Sequence, residues 1–348
     1  MASIYVDIVA GDDTTGDGTS MGSAYKHISR ALEDVTEPVT EETYIILKGD
    51  TTDPSAYNYR DDDEEDVAIQ KQIEPGGAII IQPDSWNETY YEQDGVDPLT
   101  GGTFDPTGLR PCYVPRIQIG GDTKGVFFRG VAIYDDRLEV TEFAGNYIYD
   151  RSHVTFDYCS FLSWNIGLLV TDFSSCNVYN CYFEGCSVGV TLSNMSSMGL
   201  FGDNYFKDCF KYALYLVNNC VLNVRGWDLF PAIHYTTKLY TTQQRKGYAA
   251  IKVEIGSTFL VGLNNEALDE QVARYRRPAL VQIVSEKEFA PKEYYGVLLE
   301  SLSQYIGSAN TVFTGKDSSD NMLNEGKDTV PSGQQFVGTS SQYTLILE

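Results

Sequence analysis

The chain has 348 residues, 42% of them hydrophobic and 21% charged, which is enough apolar material to bury a core and excludes a disordered tail or short peptide. Asp and Glu outnumber Lys and Arg by 49 to 25, for a net charge of −24, so a polyanion such as DNA or an anionic bilayer is repelled and neither nucleic acid nor membrane is an expected partner. The excess is uneven: residues 1–110 hold 24 acidic and 6 basic side chains, whereas 238–292 hold 9 basic and 6 acidic.

In chain order, Ile4, Val6 and Ile8 alternate as a strand from the very start. No basic and apolar signal segment precedes them, and no apolar run reaches the roughly 18 residues that would suggest a bilayer span, so synthesis in the cytoplasm is expected. A turn-rich stretch occupies 11–22, and then Ser23 is placed to cap a helix whose Tyr25, Ile28, Leu32 and Val35 recur at helical spacing. Residues 1–35 therefore read as a strand and capping helix that cover the open end of the segment behind them. Strand candidates at 44–47, 78–81, 116–119 and 125–133 lie between long polar loops, as early coils with insertions would. The acidic run at 61–66 reads as a solvated loop, because like charges in a block repel and stay hydrated.

The stretch 153–220 repeats. Phe161, Phe183 and Phe206 are 22 and 23 residues apart, Cys159 and Cys181 are 22 apart, Cys186 and Cys209 are 23 apart, and Gly167 and Gly189 are 22 apart. Each unit alternates apolar and polar residues over short runs and closes on turns such as Thr171-Asp172, Ser193-Asn194 and Asn218-Asn219. That period, with no helix-length pattern inside it and no fixed set of leucines, fits one coil of a parallel β-helix, a solenoid whose interior stacks like side chains from successive coils. The seven cysteines (Cys112, Cys159, Cys176, Cys181, Cys186, Cys209 and Cys220) are odd in number and lack a Cys-x-x-Cys pair, so they read as packing thiols. His27 and His153 read as structural, and three His in all (with His234) disfavour histidine-centred chemistry.

The solenoid is expected over 36–235. After Trp227 the pattern weakens, and 248–255, 258–263, 279–284, 294–299 and 343–347 read as strands of a separate C-terminal β module and arm, 236–348, serving assembly. Its basic Arg274, Arg276 and Arg277 are the candidate interface residues, meeting acidic surface on a neighbouring copy.

Tyr5-Val6-Asp7, Gly11-Asp12-Asp13, Asp17-Gly18-Thr19-Ser20, Ala24-Tyr25, Ile28 and Ala31-Leu32 resemble the opening segment of pectate-lyase-like right-handed β-helix proteins of the bacteriophage tailspike and virion appendage type. The resemblance runs over 5–32 by motif and 153–220 by coil pattern. It implies an all-β, right-handed parallel β-helix, often trimeric and often on the outside of a phage particle.

Sugar cleavage by such proteins needs paired carboxylates or a calcium-assisted base. Asp157, Glu184, Asp208 and Asp228 are the candidate acids, but no pair stands out, and Glu184 aligns with Lys207 as a surface ion pair. Residues 152–224 hold no Arg, and nothing similar to the Trp-Ile-Asp-His segment of pectate lyases occurs, which weighs against the lyase version. Asp13 and Asp17 are calcium candidates, although Ala24 stands where a calcium loop would carry its bidentate Glu, and turn formation accounts for them. No phosphate-binding loop is present, so no cofactor is expected. A chain with 25 Tyr, 16 Phe and 3 Trp suits protein interfaces and sugar stacking alike. The expectation is a non-enzymatic structural component of a tailed phage virion: a head decoration, fibre or tail appendage, homo-oligomeric with a trimer favoured, on the virion surface beside other virion proteins. The alternative is a tailspike depolymerase that cuts host capsule or lipopolysaccharide, with a surface glycan as partner.

Overall fold

Short alternating strands joined by tight corners wind into three parallel sheets, each strand pairing with the one a full coil later. The computed structural model describes residues 1–59, 66–93, 96–103, 105, 108–134, 145–202, 204–207, 209, 211–225 and 249–261, together with the strands Ile233–Thr237, Val281–Ser285, Tyr295–Leu299, Gln304–Gly307, Phe313–Lys316, Phe336–Gly338 and Thr344–Leu347. Among the described residues the sheets hold 11, 8 and 9 strands. In the regular coils His153 pairs with Ser175 and Ser175 with Ser197, 22 residues apart, so the period seen in the sequence is the height of one coil. None of the described helices is long and apolar enough to cross a membrane.

The core is a set of columns. Phe161, Phe183 and Phe206 are fully buried and stack with ring centroids 4.6 and 4.7 Å apart, their planes within 6° of parallel. That spacing matches the 4.7–4.9 Å between hydrogen-bonded strands, so identical residues one coil apart fall into contact without adjustment. Burying each ring stabilises the fold by about 2–3 kcal/mol. All seven cysteines are buried free thiols, and Cys159, Cys181, Cys186 and Cys209 lie wholly inside the columns.

One corner is a two-residue turn repeated on four successive coils: Asp150-Arg151, Asp172-Phe173, Asn194-Met195 and Asn218-Asn219 all have φ between +53° and +64°. Asp and Asn tolerate this left-handed backbone better than other side chains, which is why they hold the first position. The second residue of each turn donates its N–H to the first residue of the next, Arg151 to Asp172 at 3.0 Å, Phe173 to Asn194 at 3.0 Å and Met195 to Asn218 at 2.9 Å. Side chains add a second rail, from Asn194 Nδ2 to Asp172 Oδ1 at 3.0 Å and from Asn218 Nδ2 to Asn194 Oδ1 at 3.2 Å.

At the N-terminus the helix is Ile28–Asp34, shorter than expected, and Ser23 does not cap it. Ser23 ends a 3-10 turn, Met21–Ser23, and its hydroxyl donates to Asp17 at 2.6 Å. Tyr25 instead bridges Val6 in parallel. Ile28, Ala31 and Leu32 are buried, where the helix packs on the strands Ala2–Val6, Glu42–Leu47 and Val67–Ile69. Tyr5 and Asp7 donate their N–H groups to Gly18 and Tyr25, so part of the outer edge of the first strand is covered.

The expected strands of 36–145 are present as Glu42–Leu47, Ala78–Pro83, Ile117–Ile119, and a pair, Lys124–Arg129 and Ala132–Tyr134, broken at Gly130 (φ +61°). The C-terminal expectation needs correction. The described strands beyond 235 do not form a sheet of their own: Val281–Ser285 pairs with Ile233–Thr237, Tyr295–Leu299 with Ala249–Val253, and Thr344–Leu347 with Gln304–Gly307, all in parallel within the same three sheets. Ile233–Thr237 itself spans the boundary drawn at 235 and continues the sheet from Asn204–Lys207. Longer connections between these strands break the 22-residue period and hide the continuity from the sequence.

Candidate active site

On the 11-stranded sheet, Val154 and Phe156 of the strand His153–Asp157 point into the core, which leaves Asp157 on the outward side. Register places Asp157 between Arg129 on one coil and Tyr179 on the next, with Phe201 beyond Tyr179. Gln82 follows Ile81, which is paired with Phe128, and so continues this row on the other side of Arg129. Tyr179 and Phe201 are half-buried and stack at 4.8 Å.

An outward carboxylate in a regular coil would be solvated, but Asp157 is only 4% exposed. The cover comes from the insertion 84–112. Asn87 caps a short helix, Glu88–Tyr91, by accepting from Thr89 N at 3.0 Å. Trp86, Tyr91 and Tyr158 pack together with centroids 5.3–6.1 Å apart, Tyr158 edge-on to the other two. The Arg129 guanidinium lies over Trp86, Tyr91 and Phe127 at 5.7, 5.5 and 6.0 Å and donates to Glu88 Oε2 at 3.0 Å. Trp86 Nε1 donates to the same oxygen at 3.0 Å. Two backbone features make room: a Cβ on Gly130 would stand 2.9 Å from Leu99 and 3.0 Å from Trp86, and Tyr158 takes a left-handed φ of +53°, uncommon for an aromatic residue. Arg110 is buried and donates through Nε to the Tyr158 carbonyl at 2.5 Å, fastening the far end of the insertion.

Burial pushes the Asp157 carboxyl up to about 7, against a hydrogen bond from Tyr91 and the charge of Arg129, which pull it down; the Glu88 charge pushes it further up. Asp157 therefore holds its proton in mildly acid solution, and its Oδ1 has no partner. Gln82 Oε1 and Ser85 Oγ are likewise buried and unpartnered. Together these groups offer a protonated acid, a carboxylate and a guanidinium beside an aromatic platform.

Of the acids singled out from the sequence, Asp157 is thus at the centre of a cluster. Glu184 is not part of it: it lies on the 8-stranded sheet, bonded to Lys207 Nζ at 2.6 Å in the register expected, and this contact raises the Lys207 pKa. Asp208, Asp228, Arg274, Arg276 and Arg277 lie outside the described residues. Asp13 accepts from the amides of Lys26 and His27 at 2.7 and 3.1 Å and from the His27 ring. Asp17 accepts from Thr19 N, Thr19 Oγ1 and Ser23 Oγ at 2.6–3.0 Å, which holds its carboxyl down at about 2. These carboxylates serve the N-terminal turn, and among the described residues no cluster of three or more His, Cys, Asp or Glu side chains is arranged to hold a metal. Asp66, the described end of the acidic run, is bound by Arg116 Nε at 2.6 Å rather than solvated alone. The sequence reading missed Glu88, Arg129, Trp86 and Tyr91; the signal was there in aromatic residues gathered within a polar insertion, and in an Arg at an outward position of a strand.

A family described as "Right handed beta helix region" matches residues 115–229. The fold is a right-handed parallel β-helix. Among solved structures the chain is similar to the native GH136 lacto-N-biosidase from Eubacterium ramulus, at 9% identity and a TM-score of 0.39, covering 100% of this chain and 68% of that one. The selenomethionine derivative of the same enzyme matches at 8% identity and a TM-score of 0.37, covering 99% and 68%. No curated protein matches the chain.

Proposed function

We propose that this chain is a surface-displayed, non-enzymatic component of a tailed phage virion that recognises a host glycan, and that the row Arg129–Asp157–Tyr179–Phe201 is its carbohydrate site. The virion part rests on the resemblance of the opening segment 5–32. The glycan part is carried by one observation: an arginine, a carboxyl and two half-buried, stacked aromatic rings stand in one outward row, one per coil. Aromatic faces pack against the apolar faces of sugar rings, while a carboxyl and a guanidinium bond the hydroxyls around them. In this reading copies assemble as a homo-oligomer, a trimer favoured, beside other virion proteins.

A second reading, glycoside hydrolysis, is favoured by a second acid, Glu88, close enough for its charge to raise the Asp157 carboxyl. One carboxyl is kept protonated by burial and could donate a proton to a leaving group, while the other is held on the Arg129 guanidinium, the division of labour that paired-carboxylate cleavage requires.

Two measurements test these readings. Antibody labelling of phage particles by electron microscopy is expected to decorate the particle regularly, and unlabelled particles would overturn the virion assignment. On an array of bacterial surface glycans the wild type is expected to bind, and Asp157→Asn with Tyr179→Ala is expected to lose at least tenfold in affinity. Equal binding by the variant removes the site, and release of sugar fragments by the wild type moves the protein to the hydrolase reading.

A further inference from the structure

The part of the insertion that covers Asp157 is attached to the solenoid in an unusual way. From Asn87 to Gln93 every backbone hydrogen bond described stays inside the insertion: Asn87 N to Pro98 O, Tyr90 N and Tyr91 N to Asn87 O, Glu92 N to Glu88 O and Gln93 N to Tyr90 O. Among the described residues no backbone bond ties this stretch to a strand. Side chains hold it down, and they do so on the site itself, Glu88 on Arg129 at 3.0 Å and the Tyr91 hydroxyl on Asp157.

The tethers have the chemistry of a ligand. A sugar would offer hydroxyls to Asp157 and acceptor oxygens to Arg129, and in the closed protein Tyr91 offers the hydroxyl and Glu88 the oxygens. Asp157 Oδ1, buried beneath the cover, has no partner in the closed arrangement, which leaves it free to take a ligand hydroxyl.

We propose that residues 87–93 form a lid, closed by Tyr91 and Glu88 standing in for ligand groups, and that ionisation of Asp157 loosens it. This rests on the carbohydrate reading for the identity of the ligand but not for the motion. The groups facing Asp157 are Tyr91 and Glu88 from the lid, Arg129 from one neighbouring strand, Tyr179 from the other, and the Cys181 thiol. Burial, to which the lid contributes, holds the carboxyl at about 7 in the closed protein, and opening would admit water and lower it. A group whose closed-state pKa is raised favours closure fully below its open value, and that contribution is lost as pH rises towards about 7 and is gone above it. The closing equilibrium should fall by up to about tenfold per pH unit in that window.

Hydrogen exchange of the full chain, corrected for intrinsic rates, tests this at the amides of Tyr90, Tyr91, Glu92 and Gln93. Wild-type protection there is expected to fall several-fold per unit from pH 5 to 7 and level off above, while Asp157→Asn gives a flat profile and Tyr91→Phe exchanges faster at low pH. A flat wild-type profile, or the same profile in wild type and Asp157→Asn, overturns the lid. The glycan array run in parallel at pH 5 and 8 separates the two ideas. Binding stronger at pH 8, with Tyr91→Phe binding at pH 5 as wild type does at pH 8, supports both; pH-linked exchange with no glycan bound by any form keeps the lid and removes the carbohydrate reading; glycan binding with a flat exchange profile does the reverse.

Discussion

Between residues 153 and 224 a coil takes 22 to 24 residues, whereas between the strands Ala78–Pro83 and Tyr113–Val114 lie residues 84–112, of which no described member belongs to a strand of the three sheets. The regular coils satisfy polar groups coil to coil: Asn194 bonds Asp172, Asn218 bonds Asn194, and Glu184 bonds Lys207, all at or near the surface. The excursion instead folds back over the outside of a sheet and buries charged groups that regular coils would leave in water. Repetition builds the scaffold, and its local failure builds the place where a carboxyl titrates near neutrality.

The contrast can be broken or sharpened by substitution, read by chemical denaturation. Phe183→Ala opens a gap between two stacked rings and should destabilise by about 3–5 kcal/mol; a loss under about 1 kcal/mol would mean that the columns do not carry the scaffold. Gly189→Ala places a Cβ 2.6 Å from both the Ala213 carbonyl and the Phe206 ring, and should destabilise by about 1–3 kcal/mol because the neighbouring coil must shift. Asn194→Ala removes both side-chain rail bonds at one corner and puts Ala at a left-handed φ of +53°, and should lower stability by about 2 kcal/mol. Glu184→Gln should change stability by less than about 0.5 kcal/mol, since both partners of that pair are more than a third exposed and solvent screens them. None of the four is expected to alter exchange of the amides 90–93, because all lie away from the lid. A change there after Glu184→Gln would contradict the separation of scaffold and site.

Much of the scaffold was legible in the spacing of Phe161, Phe183 and Phe206, because a parallel solenoid aligns equal positions of successive units and so writes its period directly into the chain. The Glu184–Lys207 pair emerged from the same alignment. Helix placement at the N-terminus was less legible, because Ser23, a good cap by type, is taken by Asp17, a contact made across the turn. The C-terminal coils were missed for a related reason: connections of unequal length between Val221, Thr258, Gln304 and Thr344 erase the period while leaving the pairing intact.

For the site, the sequence offered Asp157 as one acid among many and had no means of ranking it. Its alternation with Val154 and Phe156 predicts an outward, solvated carboxylate. Only the tertiary structure brings Trp86, Glu88 and Tyr91 over it from some 70 positions earlier, and only that cover removes the water that would otherwise keep the carboxyl ionised. The sequence by itself determined the coil, since repeat spacing and strand alternation are local and periodic. The tertiary structure decided which carboxyl is buried, since burial depends on where a non-repeating segment lands, and nothing in the repeat encodes that.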